Sequence, residues 1–136
     1  MKLARHPACK WDLIDATPVG KVFQKLSSSF YNVRHLLRQL GAATGADIEP
    51  VEQGKLLNET VLLNGVLMAG VPGAGGDDAI FAIVLDESIE PAVEDAWSKH
   101  QFDDPKRLVR RLPVGEAKEQ ILTKKCQKDI SKWSFQ

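Results

Sequence analysis

The sequence predicts one α+β domain, in which helices pack on a small sheet. Apolar residues recur every three or four positions over residues 19–40, as in an amphipathic helix. Two short apolar runs, bounded by turn residues, then follow at residues 65–70 and 79–85, as in buried strands. The chain has 136 residues, 43% hydrophobic and 26% charged, which suits a single globular domain.

The first predicted helix covers about residues 19–40. Thr17 and Pro18 fit its N-cap and first turn, and Gly41 or Gly45 fits its end because glycine tolerates the left-handed conformation. Its apolar residues form one stripe: Phe23, Leu26, Phe30, Val33, Leu37 and Leu40.

Two shorter helices are predicted at residues 52–63 and 90–100, and residues 47–50 connect the first of them to the preceding helix. Residues 108–114 form a possible edge strand, although Pro113 removes one ladder donor. Beyond it the chain is rich in lysine and could form a basic helix or a loosely held tail. We therefore expect a domain over residues 1–114, followed by a basic helix or tail over residues 115–136.

Charge is unevenly distributed although the net charge is zero. Residues 1–45 carry seven basic and two acidic residues, residues 46–105 two and thirteen, and residues 106–136 nine and three. The basic flanks lack interleaved aromatics or a nucleic-acid motif, so we expect no nucleic-acid partner.

Cys9 and Cys126 suggest no disulfide framework or zinc site. Without a bilayer-length apolar run or an apolar leader, no membrane partner and a cytoplasmic location are expected.

The loop between the two predicted strands, residues 71–78, is here called the glycine loop. It has three glycines within residues 73–76, and closely spaced glycines let backbone N–H groups converge on an anion. The loop lacks the lysine of a P-loop and the dinucleotide fingerprint, so a tight turn is the commoner explanation. Asp77 and Asp78 would point to opposite faces of a strand, which argues against a shared metal. Asp78 either orients the loop through backbone hydrogen bonds or is a plain turn carboxylate.

Histidines and arginines give no further site. His6, His35 and His100 are widely separated and lie near no nucleophile pattern, so surface or core roles are expected. Arg34 and Arg38, one helical turn apart, could clamp a phosphate or simply face solvent. We assign no catalytic residue and no metal ligand.

Three blocks of the sequence resemble the C-terminal part of eukaryotic-type phosphomevalonate kinases, which belong to the GHMP kinase superfamily. The blocks stand in the order and spacing of that family: residues 32–41, then Ile48-Glu49-Pro50 with Gln53, Leu56 and Leu57, then residues 70–80. Together they are more specific than the glycine loop alone.

The resemblance implies a GHMP kinase C-terminal-like, ferredoxin-like sandwich of helices on a small, mainly antiparallel sheet. It also implies a role in ATP-dependent phosphorylation of 5-phosphomevalonate, in the mevalonate route to isoprenoids. The partner would be a small-molecule phosphorylated substrate. The glycine loop resembles the third conserved motif of the superfamily. By that resemblance the backbone N–H groups of Gly73, Ala74, Gly75 and Gly76 bind phosphate oxygens, and Asp78 shapes the loop.

The sequence also departs from the family. Gly54, Asn58 and Asp77 stand where threonine, aspartate and an aromatic residue are usual. The ATP-binding loop of the family is absent, as are the lysine and aspartate that its N-terminal domain contributes. ATP and Mg²⁺ are therefore expected as cofactors of the complete enzyme only, with neither bound tightly by this chain, and the isolated chain is expected to be inactive. The missing N-terminal kinase domain is then a partner.

Two other functions stay open from sequence. The chain could be a non-catalytic truncated paralogue that binds a phosphorylated metabolite or a protein partner. It could also be an interaction module built on residues 115–136.

Overall fold

The computed structural model describes residues 2–15 and 17–109. It confirms the α+β class, because helices in this part of the chain pack on a small antiparallel sheet. The elements are α1 Trp11–Ile14, α2 Pro18–Thr44, α3 Val51–Thr60, β1 Val66–Gly70, β2 Phe81–Val84 and α4 Glu90–Lys99. Short 3₁₀ turns lie at Leu3–Arg5, Ala8–Lys10 and Glu87–Ile89. The described residues contribute two strands, so the ferredoxin-like arrangement stays a prediction.

The ends of α2 follow from the residues that flank it. Thr17 is extended and precedes Pro18 at the first helical position, where the missing N–H of proline costs no hydrogen bond. Gly45 ends the helix in the left-handed conformation, with φ of 74°, and donates its N–H to the Gly41 carbonyl. Gly41 itself lies within the helix. Glycine is needed there because the chain returns so closely that a Cβ would overlap the Ala46 carbonyl.

The prediction that one apolar stripe of α2 packs in the core is wrong for half of its residues, because the core covers only half of the stripe. The half-buried members are Phe23, Phe30 and Leu37, and the exposed members are Leu26, Val33 and Leu40. The centre of the buried face is instead formed by Gly20, Arg34 and Gly41. A stripe about 100° wide leaves the rotation of a helix against its core undetermined, and packing of neighbouring elements decides it.

The sheet pairs β1 with β2 in antiparallel register, with Val66 opposite Val84 and Gly70 opposite Phe81. An irregularity between Val66 and Met68 shifts the register, as a β-bulge does. Most of β1 is buried. The second strand, predicted as buried, is only half-buried, because in the described part of the chain the helices α2 and α3 pack mainly on β1.

Residues 2–15, for which the sequence predicts no structure, form one wall of the core. The Trp11 side chain is fully buried, and its indole N–H donates to the carbonyls of both Leu3 and His6, each at 2.9 Å. Leu3, Ala8 and Trp11 pack with Leu67 of β1. Turns of three or four residues are too short to carry a periodic pattern, which is why the sequence does not reveal them.

The helices α3 and α4 complete the other side of the core, close to their predicted positions at residues 52–63 and 90–100. Leu56, Leu57 and Val93 are buried. The Trp97 indole N–H donates to the Thr60 hydroxyl oxygen at 2.8 Å, which ties α4 to α3.

The predicted features at the C-terminal end stay largely outside the described residues. Residues 108 and 109 are not in a strand, and residues 110–114 of the possible edge strand are not described. The basic segment 115–136 is not described either, so the predicted division at residue 114 stays a prediction.

Candidate functional site

The three sequence blocks meet where the glycine loop folds back onto the connector between α2 and α3. The N–H of Gly76 donates to the Ile48 carbonyl at 2.9 Å. The Gln53 side-chain amide of α3 donates to the Asp77 carbonyl at 3.1 Å. The connector is in turn fixed to α2 through Glu49, the residue that follows Ile48. The blocks are thus separate in sequence and joined in space.

Glu49 accepts hydrogen bonds from two arginines of α2, and we call these three residues the arginine–glutamate cluster. Arg34 binds Glu49 through two atoms, Nε at 2.8 Å and Nη2 at 2.7 Å, and Arg38 Nη1 binds it at 2.6 Å. The Glu49 side chain is fully buried and that of Arg34 is 1% exposed. Arg34 Nη2 also donates to Asn58 Oδ1 of α3 at 3.1 Å. The cluster therefore fixes α2, the connector and α3 together.

Opposing effects act on the Glu49 carboxyl. Burial raises its pKa, but the hydrogen bonds and positive charges of Arg34, and then of Arg38, outweigh burial and hold the pKa below its ordinary value. Two guanidinium groups share one carboxylate, so the cluster keeps a formal charge of +1. Arg34 Nη1, although buried, has no hydrogen-bond acceptor among the described residues.

The sequence suggested that Arg34 and Arg38 either clamp a phosphate or face solvent, and the structure corrects this view. Arg34 does not face solvent, and its guanidinium is used to bind Glu49 and Asn58. Arg38 is partly exposed but also binds Glu49. Periodicity alone misses this pairing, because the partner lies 15 residues away from Arg34 on an irregular connector.

The glycine loop uses some of its backbone N–H groups internally. The N–H of Gly75 donates to the Pro72 carbonyl at 3.2 Å, which closes a β-turn, and that of Gly76 donates to Ile48. In the described part of the chain, the N–H groups of Gly73 and Ala74 have no acceptor. Of the four amides assigned to phosphate by the resemblance, these two are available in this conformation.

The glycines of the loop serve different purposes. Gly75, with φ of 84°, lies so close to the connector that a Cβ would overlap the Ile48 carbonyl. Gly73, with φ of 63°, has open space around it, and so does Gly76. Gly75 is thus needed for packing against the connector, whereas Gly73 lies at an open part of the loop.

The two aspartates after the glycines differ in their contacts. The Asp77 carboxylate pairs with Arg107 at 2.6 Å. Asp78 is exposed, and its side chain makes no hydrogen bond within residues 2–15 and 17–109. Its assignment as a loop-shaping residue stays a prediction. Gln53 holds the loop through a backbone carbonyl, a contact that the sequence alone does not indicate.

The glycine loop lies outside two clefts of the described structure. One, of about 440 Å³, lies beside α2 and includes Arg34, and the other, of about 590 Å³, includes Phe102 and Arg107.

Among the described residues, no three His, Cys, Asp or Glu side chains are grouped so that they could hold a metal ion. None of the described helices is long and apolar enough to cross a membrane.

We expect Gly75→Ala to destabilise the chain by about 3 kcal/mol or more, because a left-handed φ and a backbone overlap are combined there. Gly73→Ala, which keeps the unfavourable φ but meets no neighbour, should cost about 1 kcal/mol. Urea unfolding of both variants measures the difference. Equal losses would contradict close packing of the loop on Ile48.

We expect Glu49→Gln to destabilise the chain by about 3–5 kcal/mol, because it removes the carboxylate charge that compensates two arginines. Asp95→Asn, which alters an exposed pair with Lys99, is the control and should change little. The loss should also depend on pH. The pKa of the Glu49 carboxyl is lower in the folded chain than in the unfolded chain, so its ionised form stabilises the fold. This contribution is fully present above the unfolded-state pKa of about 4.5 and is lost as the pH falls through the folded-state pKa. The difference between wild type and Glu49→Gln should therefore shrink below about pH 4.5.

Asn58→Asp should stabilise the chain by about 1 kcal/mol near neutral pH, because a carboxylate would replace a neutral acceptor beside the surplus charge of the cluster. Asn64→Asp, at an exposed position outside the cluster, is the control. Thermal unfolding measures the change in stability of each variant. Equal unfolding midpoints of Asn58→Asp and Asn64→Asp would mean that the surplus charge of the cluster is already screened by water.

Comparison with known proteins identifies relatives among mevalonate-pathway kinases. A phosphomevalonate kinase of Arabidopsis thaliana, named as peroxisomal, is 43% identical over 110 residues, which are 78% of this chain and 21% of the relative. Phosphomevalonate kinase ERG8 of Gibberella zeae is 34% identical over 74 residues, which are 54% of this chain and 16% of the relative. The chain thus spans about a fifth of the length of the first relative and about a sixth of the second.

No protein-family model matches the chain, and no solved structure matches it significantly. The two kinases nevertheless confirm the resemblance seen in the three sequence blocks. This chain is homologous to a segment of the phosphomevalonate kinases and is related to that family.

Proposed function

We propose that the chain acts as the C-terminal domain of a phosphomevalonate kinase of the GHMP superfamily. In that role it contributes to the ATP-dependent phosphorylation of 5-phosphomevalonate in the mevalonate pathway. The observation that carries the proposal is the meeting of the three family-like blocks at Ile48 and Glu49, in a chain that is 43% identical to such a kinase over 110 residues.

The proposed contribution of the glycine loop is to bind phosphate oxygens of the substrate through backbone N–H groups. Gly73 and Ala74 supply the amides that have no acceptor among the described residues, while Gly75 and Gly76 hold the loop against Pro72 and Ile48. Adjacent free amides at a glycine-rich turn favour anions. The net positive charge of the arginine–glutamate cluster, attached to the same connector, favours an anion in the same region.

The chain supplies only part of a kinase. Phosphoryl transfer depends on positioning the nucleotide and on neutralising its charge, and the ATP-binding loop of the family is absent from this sequence. The glycine loop also lines neither of the clefts described above. We therefore assign ATP and Mg²⁺ to the complete enzyme and to its N-terminal domain, and expect the isolated chain to be inactive.

A chimeric kinase tests the proposal. The 110 matched residues of the Arabidopsis enzyme are replaced by the corresponding residues of this chain, and ATP-dependent phosphorylation of 5-phosphomevalonate is measured. The chimera should be active. Ala74→Glu within it should raise KM for 5-phosphomevalonate about tenfold or more, because a carboxylate would repel the substrate phosphate. Ala92→Glu, at an exposed position in α4, is the control and should leave KM unchanged.

The outcomes separate the competing functions. A folded chimera without activity would contradict the kinase role. If, in addition, the unmodified chain bound 5-phosphomevalonate in calorimetry, the non-catalytic paralogue would be favoured. Turnover of ATP by the isolated chain would contradict its proposed incompleteness.

The compartment is a separate proposal. Cys9 is a free thiol, and free thiols suit a reducing compartment, so we infer a cytoplasmic location. The Arabidopsis relative is named a peroxisomal enzyme, which makes the peroxisome the alternative.

A further inference from the structure

The segment that follows α4, residues 100–107, runs along α3 towards the glycine loop, and we call it the strap. Its first half is attached to α3 at two points. His100 Nδ1 and Glu59 Oε2 share a hydrogen bond of 2.9 Å, and the N–H of Asp103 donates to Glu52 Oε2 at 3.1 Å. The strap is therefore held on the same helix that supplies one of the contacts to the loop.

The last residue of the strap, Arg107, reaches the C-terminal end of the glycine loop. Its Nη2 lies 2.6 Å from Asp77 Oδ1 and 3.4 Å from the Asp77 carbonyl oxygen. Its guanidinium carbon lies 4.7 Å from the centroid of the Phe102 ring, an arrangement that attracts a cation. The side chain of Arg107 is only 27% exposed. The guanidinium thus joins the strap to the loop.

The loop is fixed at Asp77 from two directions. The Gln53 amide of α3 donates to the same Asp77 carbonyl oxygen at 3.1 Å, and Arg107 approaches from 30 residues further along the chain. In the described part of the chain, the N–H groups of Gly73 and Ala74 have no acceptor. The open amides therefore lie within the same short loop as a residue that is held from outside.

A glycine-rich loop needs such outside contacts to be ordered. Glycine loses more conformational freedom on folding than any other residue, and this loop has three glycines within residues 73–76. Amides that are already ordered bind a ligand more tightly than amides that the ligand must order itself. A contact that orders the loop therefore raises its affinity for an anion.

We propose that Arg107 is a positioning residue of the phosphate site. Through Asp77 it holds the glycine loop in the conformation that leaves the Gly73 and Ala74 amides open to an anion. The inference rests on the proposed function, because it takes the loop to bind the substrate phosphate. It adds to the site a residue that lies outside the three family-like blocks.

Amide hydrogen exchange in the full 136-residue chain tests whether Arg107 holds the loop. The reporter is the Gly76 N–H, which donates to the Ile48 carbonyl beside Asp77. Arg107→Ala should make this N–H exchange about fivefold faster or more, because one end of the loop is released. The thermal midpoint should change little, since a partly exposed ion pair contributes little to global stability.

Lys106→Ala is the matched control, because it removes the same charge from the neighbouring residue. Lys106 is exposed, and its side chain makes no hydrogen bond within residues 2–15 and 17–109. It should leave the exchange of the Gly76 N–H and the thermal midpoint unchanged.

Kinetics of a chimeric kinase that carries this chain in full test the effect on the substrate. Arg107→Ala should raise KM for 5-phosphomevalonate about fivefold, with kcat and KM for ATP unchanged, and Lys106→Ala should alter none of them. Asp77→Ala, added to Arg107→Ala, separates position from charge. The double variant should keep the raised KM, because the loop is still released. Full recovery of KM would mean that Arg107 acts by neutralising the Asp77 carboxylate, and would overturn the positioning role.

The remaining outcomes separate this proposal from the proposed function. Unchanged exchange or an unchanged KM in Arg107→Ala would overturn the positioning role, and so would a large fall in its thermal midpoint, which is the mark of a general structural residue. Faster exchange together with an inactive chimera would contradict the kinase function and retain Arg107 as the residue that holds the loop. An active chimera in which Arg107→Ala alters neither exchange nor KM would retain the function and overturn the role of Arg107.

Discussion

The buried ion pair between Arg34 and Glu49 is the interaction on which the rest of the site depends. It is bidentate and withdrawn from water, and Arg38 and Asn58 add to it. A buried charge without its partner is costly, so α2, the connector and α3 have few other ways to pack. The connector carries Ile48, whose carbonyl receives the Gly76 N–H. The position of the glycine loop thus follows from an electrostatic contact made outside the loop.

The positions of the regular elements could be predicted from sequence because local signals agreed. Pro18 begins α2 and Gly45 ends it, as their backbone preferences require. Apolar runs indicated both strands. The rotation of α2 could not be predicted, since its apolar arc is wider than the face that the core covers. The turns around Trp11 carry no periodic pattern and depend on one buried indole, so they are visible only in the structure.

The candidate site was predictable in location but not in detail. Three glycines within four residues indicated a turn with exposed amides, yet they gave no indication that Gly75 packs on Ile48 while Gly73 stays open. Which amides are free depends on which carbonyls the folded chain brings near, and that is a tertiary property. The same applies to Glu49, whose partners lie on another element. Charge pairing across 15 residues has no signature in a single sequence.

The strand β1 contacts α2, α3 and β2, and its Leu67 joins the Trp11 cluster. No apolar layer of the described chain is therefore independent of this five-residue strand. Loss of β1 would expose the helical layer and the N-terminal turns together, so neither half retains a core of its own. We therefore expect the described residues to unfold in one cooperative step, with no separately stable subdomain among them.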